Sequence, residues 1–357
     1  MNSYRFDRRR VLQGLSAGVA AVALPRFASA NDLQGKVLRV GTWGGSWRDA
    51  LDKMIGASLR ARGLTIEYVL GNASNNFAKL VAARGRALPL DSMELVPDIL
   101  PLLTQGKFVD KINLDRVPNA KALPAFAKWD TVVGTTAHQA GVVYNAKKFE
   151  EAGVAAPQRI SDLANPKLAG RVAFPDVAHG AHFKAVAALA FEAGGDETTP
   201  EKALPLIKKI KPALYYSSSP DLATRFGSGE VWAAPWYAGF AVRLKRTGLP
   251  VAFMHPSYGS KRGAMEITQY SMLAGTKNRE GAEAFLDAYL APDVQFEFSK
   301  FAGTVPMNEA ARMRLKEDPE VRDVLLLTDA ELKNAFTVDY AKVDMVRWRD
   351  NWARQVQ

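Results

Sequence analysis

The stretch from Val37 to Trp47 constrains the fold more than any other part of the sequence. It reads Val-Leu-Arg-Val-Gly-Thr-Trp-Gly-Gly-Ser-Trp, so a strand-favouring run comes first, two glycines allow a tight turn, and Ser46 can cap a helix. A strand that enters a helix in this way leaves backbone N–H groups pointing beyond its carboxyl end. In open α/β sheets ligands bind at that edge. An ordinary βα turn has the same pattern, so the role of the stretch depends on the rest of the chain.

Strand and helix patterns then alternate. Leu51, Met54, Ile55 and Leu59 recur at helical spacing, and Gly63 ends that helix. The next predicted elements are a strand over 64–70, a helix over 75–83, a strand near 91–96 and a helix over 99–105. Repeated βα units of this length predict a doubly wound lobe with a parallel sheet.

The pattern changes between Thr131 and Tyr144, where two extended runs have no helix between them. This is typical of a strand that passes from one lobe to another, and we place the first crossover near His138. The segment 161–176 leads through a turn into a new buried strand, which begins a second lobe. The elements predicted for that lobe are helices over 181–193, 200–210 and 220–226, the last capped by Ser219, and strands over 214–216 and 230–235.

Residues 1–30 have the composition of a secretory signal. A basic head with Arg8-Arg9-Arg10 precedes an apolar run over 15–24 and a small-residue end at Ala28-Ser29-Ala30. The apolar run is about half of the roughly 20 residues that cross a bilayer. The paired arginines with Val-Leu behind them resemble the twin-arginine export signal. We therefore expect cleavage after Ala30, a periplasmic location and no stable insertion into the membrane.

Charge and cysteine content exclude several function classes. The chain has 47 Lys and Arg against 37 Asp and Glu, but no block of basic residues interleaved with aromatic ones, so no nucleic-acid partner is expected. It contains no cysteine, which excludes disulfides, thiolate catalysis and a cysteine-linked lipid anchor.

Catalytic and metal-binding patterns are also missing from the sequence. There is no Gly-x-Ser-x-Gly elbow, phosphate-binding loop or catalytic spacing of paired carboxylates. His179 and His182 could share a metal, but no second pair or nearby carboxylate cluster completes a site. We expect no enzyme activity, no cofactor and no metal. The alternative from another class, a secreted hydrolase, needs a nucleophile and a base that the sequence does not offer.

Four later segments carry motifs that occur in order along the chain. They are Tyr-Asn-Ala-Lys-Lys at 144–148, the segment 162–176, Ser-Gly-Glu-Val at 228–231, and the segment 278–293 that begins Asn-Arg-Glu-Gly-Ala and ends Leu-Ala-Pro-Asp. Together they resemble the extracellular solute-binding proteins of ABC importers, in particular the spermidine/putrescine-binding type. The similarity runs from about Val37 to the C-terminus.

This resemblance implies a periplasmic-binding-protein type II fold, with two doubly wound α/β lobes joined by a two-crossover hinge. The second crossover would fall near Met265 to Met272. Residues 31–137 and 267–315 would form lobe 1, residues 138–266 lobe 2, and residues 316–357 helices packed on the lobes, with Trp348 and Trp352 in the core. The implied partners are a small-molecule solute and an inner-membrane ABC permease, and the chain is expected to be a monomer.

A small-molecule cleft needs convergent polar groups and flat apolar walls. Loop residues at strand ends supply the candidates. In the polyamine-binding relatives a Trp shortly after the Gly-Glu-Val strand stacks on the ligand, and Trp236 matches it, while Trp43 matches an aromatic on the first loop. The predicted ligand-binding residues are Trp43, Ser46, Asn72, Ser74, Glu94, His138, Asp176, Ser218, Trp236, Tyr237, Tyr258, Glu266 and Thr268.

The chain departs from the polyamine pattern on the returning hinge strand. Where the relatives share a Trp and then an Asp two residues later, it has Glu266 and Thr268. Because a buried cation needs charge partners, a lost acid weakens the case for a polyamine. Trp236-Tyr237 also replaces the paired tyrosines of ferric-binding relatives, so iron is not favoured.

The predicted function is capture of a small polar, amine-containing, polyamine-like solute, with Trp236 and Glu266 on facing sides of the ligand. Aromatic faces attract alkylammonium groups, and a carboxylate supplies the charge partner. The alternative within the fold is a carboxylate or phosphonate ligand held by helix N-termini at 44–46 and 217–219 with help from Arg262.

N-terminal sequencing of the exported protein tests the predicted signal. The apolar run over 15–24 is too short to anchor the chain, so the mature protein should begin at Asn31 and leave the membrane fraction. A start far from Asn31, or retention with membranes, would contradict the prediction.

Overall fold

The structure is a computed structural model that describes residues 32–340 and 342–355. The predicted secretory signal, residues 1–30, lies outside the described residues. None of the helices within the described ranges is long and apolar enough to span a bilayer.

Strands and helices are interspersed along the described chain. The strands are β1 Val37–Thr42, β2 Thr65–Leu70, β3 Ser92–Leu95, β4 Val109–Asp110, β5 Val132–Asn145, β6 Ala173–Pro175, β7 Leu214–Tyr216, β8 Ala233–Tyr237, β9 Val251–Met254, β10 Ser257–Tyr258, β11 Lys261–Arg262, β12 Ala264–Leu273 and β13 Val305–Pro306. The helices are α1 Ser46–Leu51, α2 Ala57–Ala61, α3 Ala73–Ala82, α4 Leu100–Gln105, α5 Ala146–Glu151, α6 Ala181–Glu192, α7 Leu204–Ile210, α8 Ser219–Gly227, α9 Ala238–Arg246, α10 Arg279–Leu290, α11 Pro292–Ala302, α12 Glu309–Lys316, α13 Asp329–Lys333 and α14 Met345–Gln355.

The first βα units form as the sequence predicts. β1 lies between β2 and β3 and pairs with both in parallel. A π-helical turn over Asp52–Gly56 joins α1 to α2, and Leu51, Ile55 and Leu59 on this helical segment are buried against the sheet. Gly63 follows with φ 90°, a left-handed conformation in which a Cβ would meet the backbone of Gln34. The parallel sheet and the helix stop are therefore confirmed.

Ser46 does not cap the first helix as predicted. The N-cap is Gly45, with φ 63°, and Ser46 is the first helical residue. The left-handed backbone at this turn suits glycine because it has no Cβ to clash. A similar one-residue shift occurs at α8, where the capping side chain is Ser218 and the predicted cap, Ser219, is already helical.

β5 and β12 are the two long strands at the middle of the large sheet. β5 is one continuous strand of 14 residues, where the sequence suggested two extended runs. Its first part pairs antiparallel with β12, and its last part pairs with β8 and β9. β12 also pairs with β3, so it connects β5 to the first βα units. The predicted crossovers near His138 and at 265–272 thus lie on adjacent, paired strands, while the exact lobe boundaries stay predictions.

A bulge interrupts the β5–β12 ladder. Thr268 lies opposite Thr136 and Gln269 opposite Gly134, so Thr135 is the extra residue on β5. Bulges bend the strand and increase its local twist. The bulge lies three residues before His138, which pairs with Glu266.

The C-terminal helix α14 covers part of the second half of the molecule. Trp348 and Trp352 are each 2% exposed, as the sequence predicts for core residues. The Trp352 ring packs edge-on against His182, with ring centroids 4.4 Å apart. It also stacks on Phe174 of β6 at 6.1 Å, so α14 is held by aromatic packing against β6 and α6.

The two paired strands β5 and β12 join the two lobes and form a hinge. Such a hinge bends when the backbone dihedral angles of its residues change. Small-angle scattering should therefore give a smaller radius of gyration for the ligand-bound protein than for the free protein. An unchanged radius at saturating ligand would show that the molecule is a rigid scaffold.

Candidate functional site

A buried carboxylate joins the carboxyl ends of β1 and β3. Glu94 is 1% exposed, and its Oε2 accepts hydrogen bonds from Thr42 Oγ1 and, at 3.0 Å, from Trp47 Nε1. Burial raises the pKa of Glu94 to about 7. The second oxygen, Oε1, has no hydrogen-bond partner among the described residues. Glu94 therefore fixes the indole of Trp47 at the end of the sheet, where the glycine turn enters α1.

Trp47 belongs to a row of aromatic rings that runs from the loop after β1 to the loop before α6. We call Trp43, Trp47, His138, Tyr237 and His179 the aromatic row. Ring centroids of successive members lie 5.5, 5.6, 5.5 and 5.8 Å apart. Burial lowers the pKa of His138 and of His179 to about 4, so both rings are neutral at neutral pH. The row is therefore an uncharged wall.

The last ring of the row is tied to the second half of the molecule. His179 Nε2 is hydrogen-bonded to Ser219 Oγ at 2.8 Å, at the first residue of α8. The Tyr237 hydroxyl lies over Gly180, the residue before α6, where a Cβ would collide with it. A side chain at position 180 would therefore displace the Tyr237 hydroxyl from its place.

Charged side chains lie next to the aromatic row. Lys184 of α6 donates hydrogen bonds to Glu266 Oε2, to Gly180 O at 3.0 Å and to Tyr340 Oη at 3.4 Å. Burial by itself would lower the pKa of Lys184, but the Glu266 carboxylate outweighs it and holds this pKa well above its ordinary value. Both members of the pair are buried.

Asp98 is the second carboxylate near this pair. Burial, with a further contribution from the charge of Glu266, raises the pKa of Asp98 to about 6. Its Oδ1 is buried and has no hydrogen-bond partner within the described part of the chain. We call Lys184, Glu266, Tyr340 and Asp98 the charged cluster. At neutral pH it contains two carboxylates and one ammonium group.

A cavity of about 470 Å³ opens beside the charged cluster. After the end of β3 the chain leaves the sheet, so β3 does not pair with the first residues of β12. The residues that follow Leu332 run alongside these residues of β12, where Phe336 forms a β-bridge to Ala264. The cavity therefore lies in a gap at the edge of β12. Its lining is Pro97, Phe126, Trp129, Lys184, Lys261, Met265, Glu266, Ile267, Gln269, Leu332, Lys333, Ala335, Thr337, Val338 and Tyr340.

Of the predicted residues, Glu266 lines this cavity, and four others belong to the aromatic row or support it. Trp43, His138 and Tyr237 belong to the aromatic row, Glu266 to the charged cluster, and Glu94 positions Trp47. The sequence located them because each stands at or near a strand end or on a crossover strand.

Other predicted residues lie further from the charged cluster or act as structural groups. Asn72 caps α3, accepting from Asn75 N at 2.8 Å, and Ser74 is exposed on that helix. Ser218 caps α8, and Asp176 Oδ1 accepts from Ala178 N at 3.0 Å within its own loop. Ser46 is exposed on α1.

Tyr258 and Thr268 are buried near the charged cluster. The Tyr258 hydroxyl donates to Lys184 O at 3.0 Å, and its ring stacks on Phe336 at 4.3 Å. The Thr268 hydroxyl has no hydrogen-bond partner among the described residues. Tyr258 therefore supports the backbone of the residue that carries the ammonium group.

Trp236 is a packing residue and not an exposed wall. Its side chain is 0% exposed, and its ring stacks between Phe240 at 4.2 Å and Phe226 at 5.7 Å. The Nε1 group donates to Ser219 Oγ at 2.9 Å. Because neighbouring side chains on a strand point to opposite faces, Tyr237 rather than Trp236 reaches the aromatic row.

Two further findings concern the predicted charge partners of the ligand. Glu266 is predicted to hold a ligand amine, and its carboxylate is already paired with a cation of the chain, Lys184. Arg262 was expected to help hold an anion, but it is exposed on β11 and lines a separate cavity with Gln158 and His255. The sequence could not show either fact because both depend on contacts between distant segments.

Sequence reasoning missed three members of the charged cluster. Lys184 had a detectable signal, since it is the one charged residue in the otherwise apolar run 183–191 and a lone charge on a buried helix needs a partner. Asp98 lies just past the end of β3, where the strand-end rule could have found it. Tyr340 had no signal, because it belongs to an irregular segment remote from β12 in sequence.

His179 and His182 do not face a common site. His182 Nδ1 is hydrogen-bonded to Pro175 O at 3.0 Å, while His179 faces Ser219. Among residues 32–340 and 342–355 there is no group of three or more His, Asp or Glu side chains arranged to hold a metal ion.

The family comparison identifies one protein class over most of the chain. The model of the bacterial extracellular solute-binding protein family matches residues 54–323. The spermidine/putrescine-binding periplasmic protein of Escherichia coli (strain K12) is 30% identical over 179 residues, which cover 49% of this chain and 49% of that relative. The match thus spans about half the length of the curated relative.

Solved structures show the same fold over nearly the whole described chain. An ABC transporter structure from Clostridium perfringens ATCC 13124 matches with a TM-score of 0.71 at 24% identity, covering 90% of this chain and 100% of that one. An ABC transporter substrate-binding protein from Bradyrhizobium japonicum USDA 110 matches with a TM-score of 0.72 at 20% identity, covering 90% and 100%. These matches confirm the periplasmic-binding-protein type II fold.

The raised pKa of Glu94 predicts a pH-dependent stability. A carboxyl whose pKa is about 7 when folded and about 4.5 when unfolded stabilises the fold below pH 4.5, and that stability is lost as the pH rises through 7. Relative to Glu94→Gln, the wild-type free energy of unfolding should fall by about 2 to 3 kcal/mol between pH 4.5 and 8.

Urea unfolding at several pH values, with the exposed Glu67→Gln as a matched control, measures this difference. The pKa of Glu94 is not raised if the Glu94→Gln and wild-type curves stay parallel across this range.

Proposed function

Because the chain belongs to the bacterial extracellular solute-binding protein family, we propose that it is the periplasmic substrate-binding component of an ABC importer. It captures a small solute between its two lobes, closes on it, and delivers it to an inner-membrane permease. Binding and hinge closure are the whole mechanism, without a chemical reaction. The proposal includes export, cleavage after Ala30 and action as a monomer.

The buried oxygen Oδ1 of Asp98, which has no hydrogen-bond partner among the described residues, carries the assignment of the ligand. Buried charge is costly unless a partner of opposite charge compensates it. Lys184 compensates Glu266, but Asp98 Oδ1 has no partner among the described residues. A ligand ammonium group placed in the cleft would supply the missing charge and hydrogen-bond donor.

The surroundings of Asp98 suit a small amine. The cavity of about 470 Å³ has a size typical of small-molecule sites. Phe126 and Trp129 in its lining offer ring faces, which attract alkylammonium groups. The curated relative is named for spermidine and putrescine, both amines. We therefore assign the site to a small polar solute with at least one ammonium group, the group that also defines polyamine-like compounds.

An anionic ligand is the second candidate. Lys261 and Lys333 line the same cavity and are exposed, so they could bind a carboxylate or a phosphonate. Arg262, expected to serve this role, lies elsewhere. The two candidates differ in the charge partner they use.

A thermal-shift screen of amines, amino acids, carboxylates, phosphonates and metal ions identifies the ligand, and calorimetry on Asp98→Asn then tests its charge. An amine should raise the melting temperature of the wild-type protein. Loss of the Asp98 charge should weaken its binding by about 1.5 to 3 kcal/mol, or roughly tenfold to a hundredfold in Kd.

The exposed Asp323→Asn is the matched control and should bind the amine like the wild-type protein. If the screen yields only anions, and Asp98→Asn binds them more tightly, the anionic ligand is the right one.

A further inference from the structure

The ammonium group of Lys184 has the surroundings that a bound ligand amine would have. Its three N–H donors are matched by three acceptors: Glu266 Oε2, Gly180 O and Tyr340 Oη. These come from a hinge strand, from the start of α6 and from the segment that follows α13. The chain itself has thus placed a cation at the junction of the hinge and the cleft.

Lys184 is held in this position by its own helix. The residue is 3% exposed, and its neighbours on α6 are buried in the core. Tyr258 donates a hydrogen bond to its carbonyl oxygen. A long side chain that leaves this site would abandon Glu266 as an uncompensated buried carboxylate, which is strongly unfavourable. The ammonium group is therefore a fixed part of the site.

We propose that Lys184 occupies, as a tethered ammonium group, the place of a second ligand ammonium, so that the cleft selects solutes with one ammonium and one carboxylate over diamines and polyamines. This inference rests on the proposed function and names the class of its ligand. Lys184 is then the residue that determines specificity.

The number of charges in the cluster supports this selection. Glu266 and Asp98 are two carboxylates, Lys184 is one ammonium, and the neighbouring rings of His138 and His179 are neutral at neutral pH. One negative charge is left for the ligand to match. A solute with one ammonium group matches it, whereas a diamine brings a second cation into a cleft that already contains Lys184.

Two lysines in the lining of the cavity suit a carboxylate. Lys261 and Lys333 both line it, and among the described residues Glu266 is the one carboxylate in the lining. The same lining contains the apolar side chains of Phe126, Trp129 and Ile267. The cavity thus offers apolar surface to a short methylene chain, the carboxylates of the neighbouring charged cluster to its ammonium group, and lysines to its carboxylate.

Putrescine, 4-aminobutanoate, butylamine and butyrate are the probes that test this proposal. They share a four-carbon chain and differ only in the terminal groups. Calorimetry should give a Kd for 4-aminobutanoate at least about tenfold lower than that for putrescine with the wild-type protein. Butylamine should bind with intermediate affinity, because it matches Asp98 but leaves the lysines unused.

Removing the tethered cation should reverse the preference. Lys184→Met keeps the length of the side chain and leaves two carboxylates uncompensated, so putrescine should bind at least about tenfold more tightly than to the wild-type protein. The double variant Lys184→Met/Glu266→Gln again has one net negative charge. It should again bind 4-aminobutanoate more tightly than putrescine, as the wild-type protein does. Because it buries no unpaired Glu266 charge, it can also be measured if the single variant does not fold.

Each outcome decides between the hypotheses. The role of Lys184 is wrong if the wild-type protein binds putrescine more tightly than 4-aminobutanoate. It is also wrong if the ratio of the two Kd values is the same in the wild-type protein and in Lys184→Met. If neither amine binds and butyrate does, the proposed amine ligand itself is wrong. That result differs from a failure of the Lys184 proposal, in which amines bind but the variants do not change their order.

Discussion

The hydrogen-bonded ladder between β5 and β12 is the constraint on which the rest of the structure depends. It joins two strands that are more than a hundred residues apart in sequence, from Ala264 opposite Ala140 to Ser271 opposite Val132. Because neighbouring side chains alternate between the two faces of a strand, the register of this ladder decides which residues reach the cleft. It places Glu266 opposite His138. If the register slipped by one residue, the side chains of Glu266 and His138 would no longer lie on the same face of the sheet.

The ladder buries the carboxylate of Glu266, and other parts of the structure supply its charge partner. A carboxylate at position 266 has to be compensated, and Lys184 is the compensating group, brought by a helix that packs across the sheet. Breaking such a pair by removing one partner costs more than the pair contributes to stability. A pair of this kind is therefore weak evidence of a stabilising role, and selection of the ligand is the role that we propose for it.

The neutral wall and the charged cluster have complementary roles. The histidines of the aromatic row have pKa values of about 4 and add no charge. The electrostatics of the cleft is consequently set by the cluster and by the lysines of the cavity. Glu94 acts at a distance from the cavity, by holding Trp47 through its indole N–H. The side chains of the candidate site are thus held in place, each by a contact behind it.

Local sequence patterns determined much of the fold. Several features depend on contacts or conformations close in sequence, or on hydrophobicity alone. They are the helical spacing from Leu51 to Leu59, the left-handed glycine at position 63, the parallel βα units and the buried tryptophans of α14. The motif at 228–231 and its companions pointed to the family over residues that the family model also matches. Positions near strand ends or on a crossover strand indicated Glu94, His138 and Tyr237 as candidate site residues, and such positions can also be recognised from the local sequence.

Only the tertiary structure decided the chemistry of the cleft. The alternation of β8 relative to the sheet sends Trp236 into the core and Tyr237 to the aromatic row, a choice that a two-residue pattern leaves open. The partners of Glu266 come from α6 and from an irregular segment 74 residues further along the chain. A buried charge is specified by what compensates it, and compensation is a property of distant segments meeting in space. The sequence therefore shows that a carboxylate stands on the hinge, and only the folded chain shows that a lysine already neutralises it.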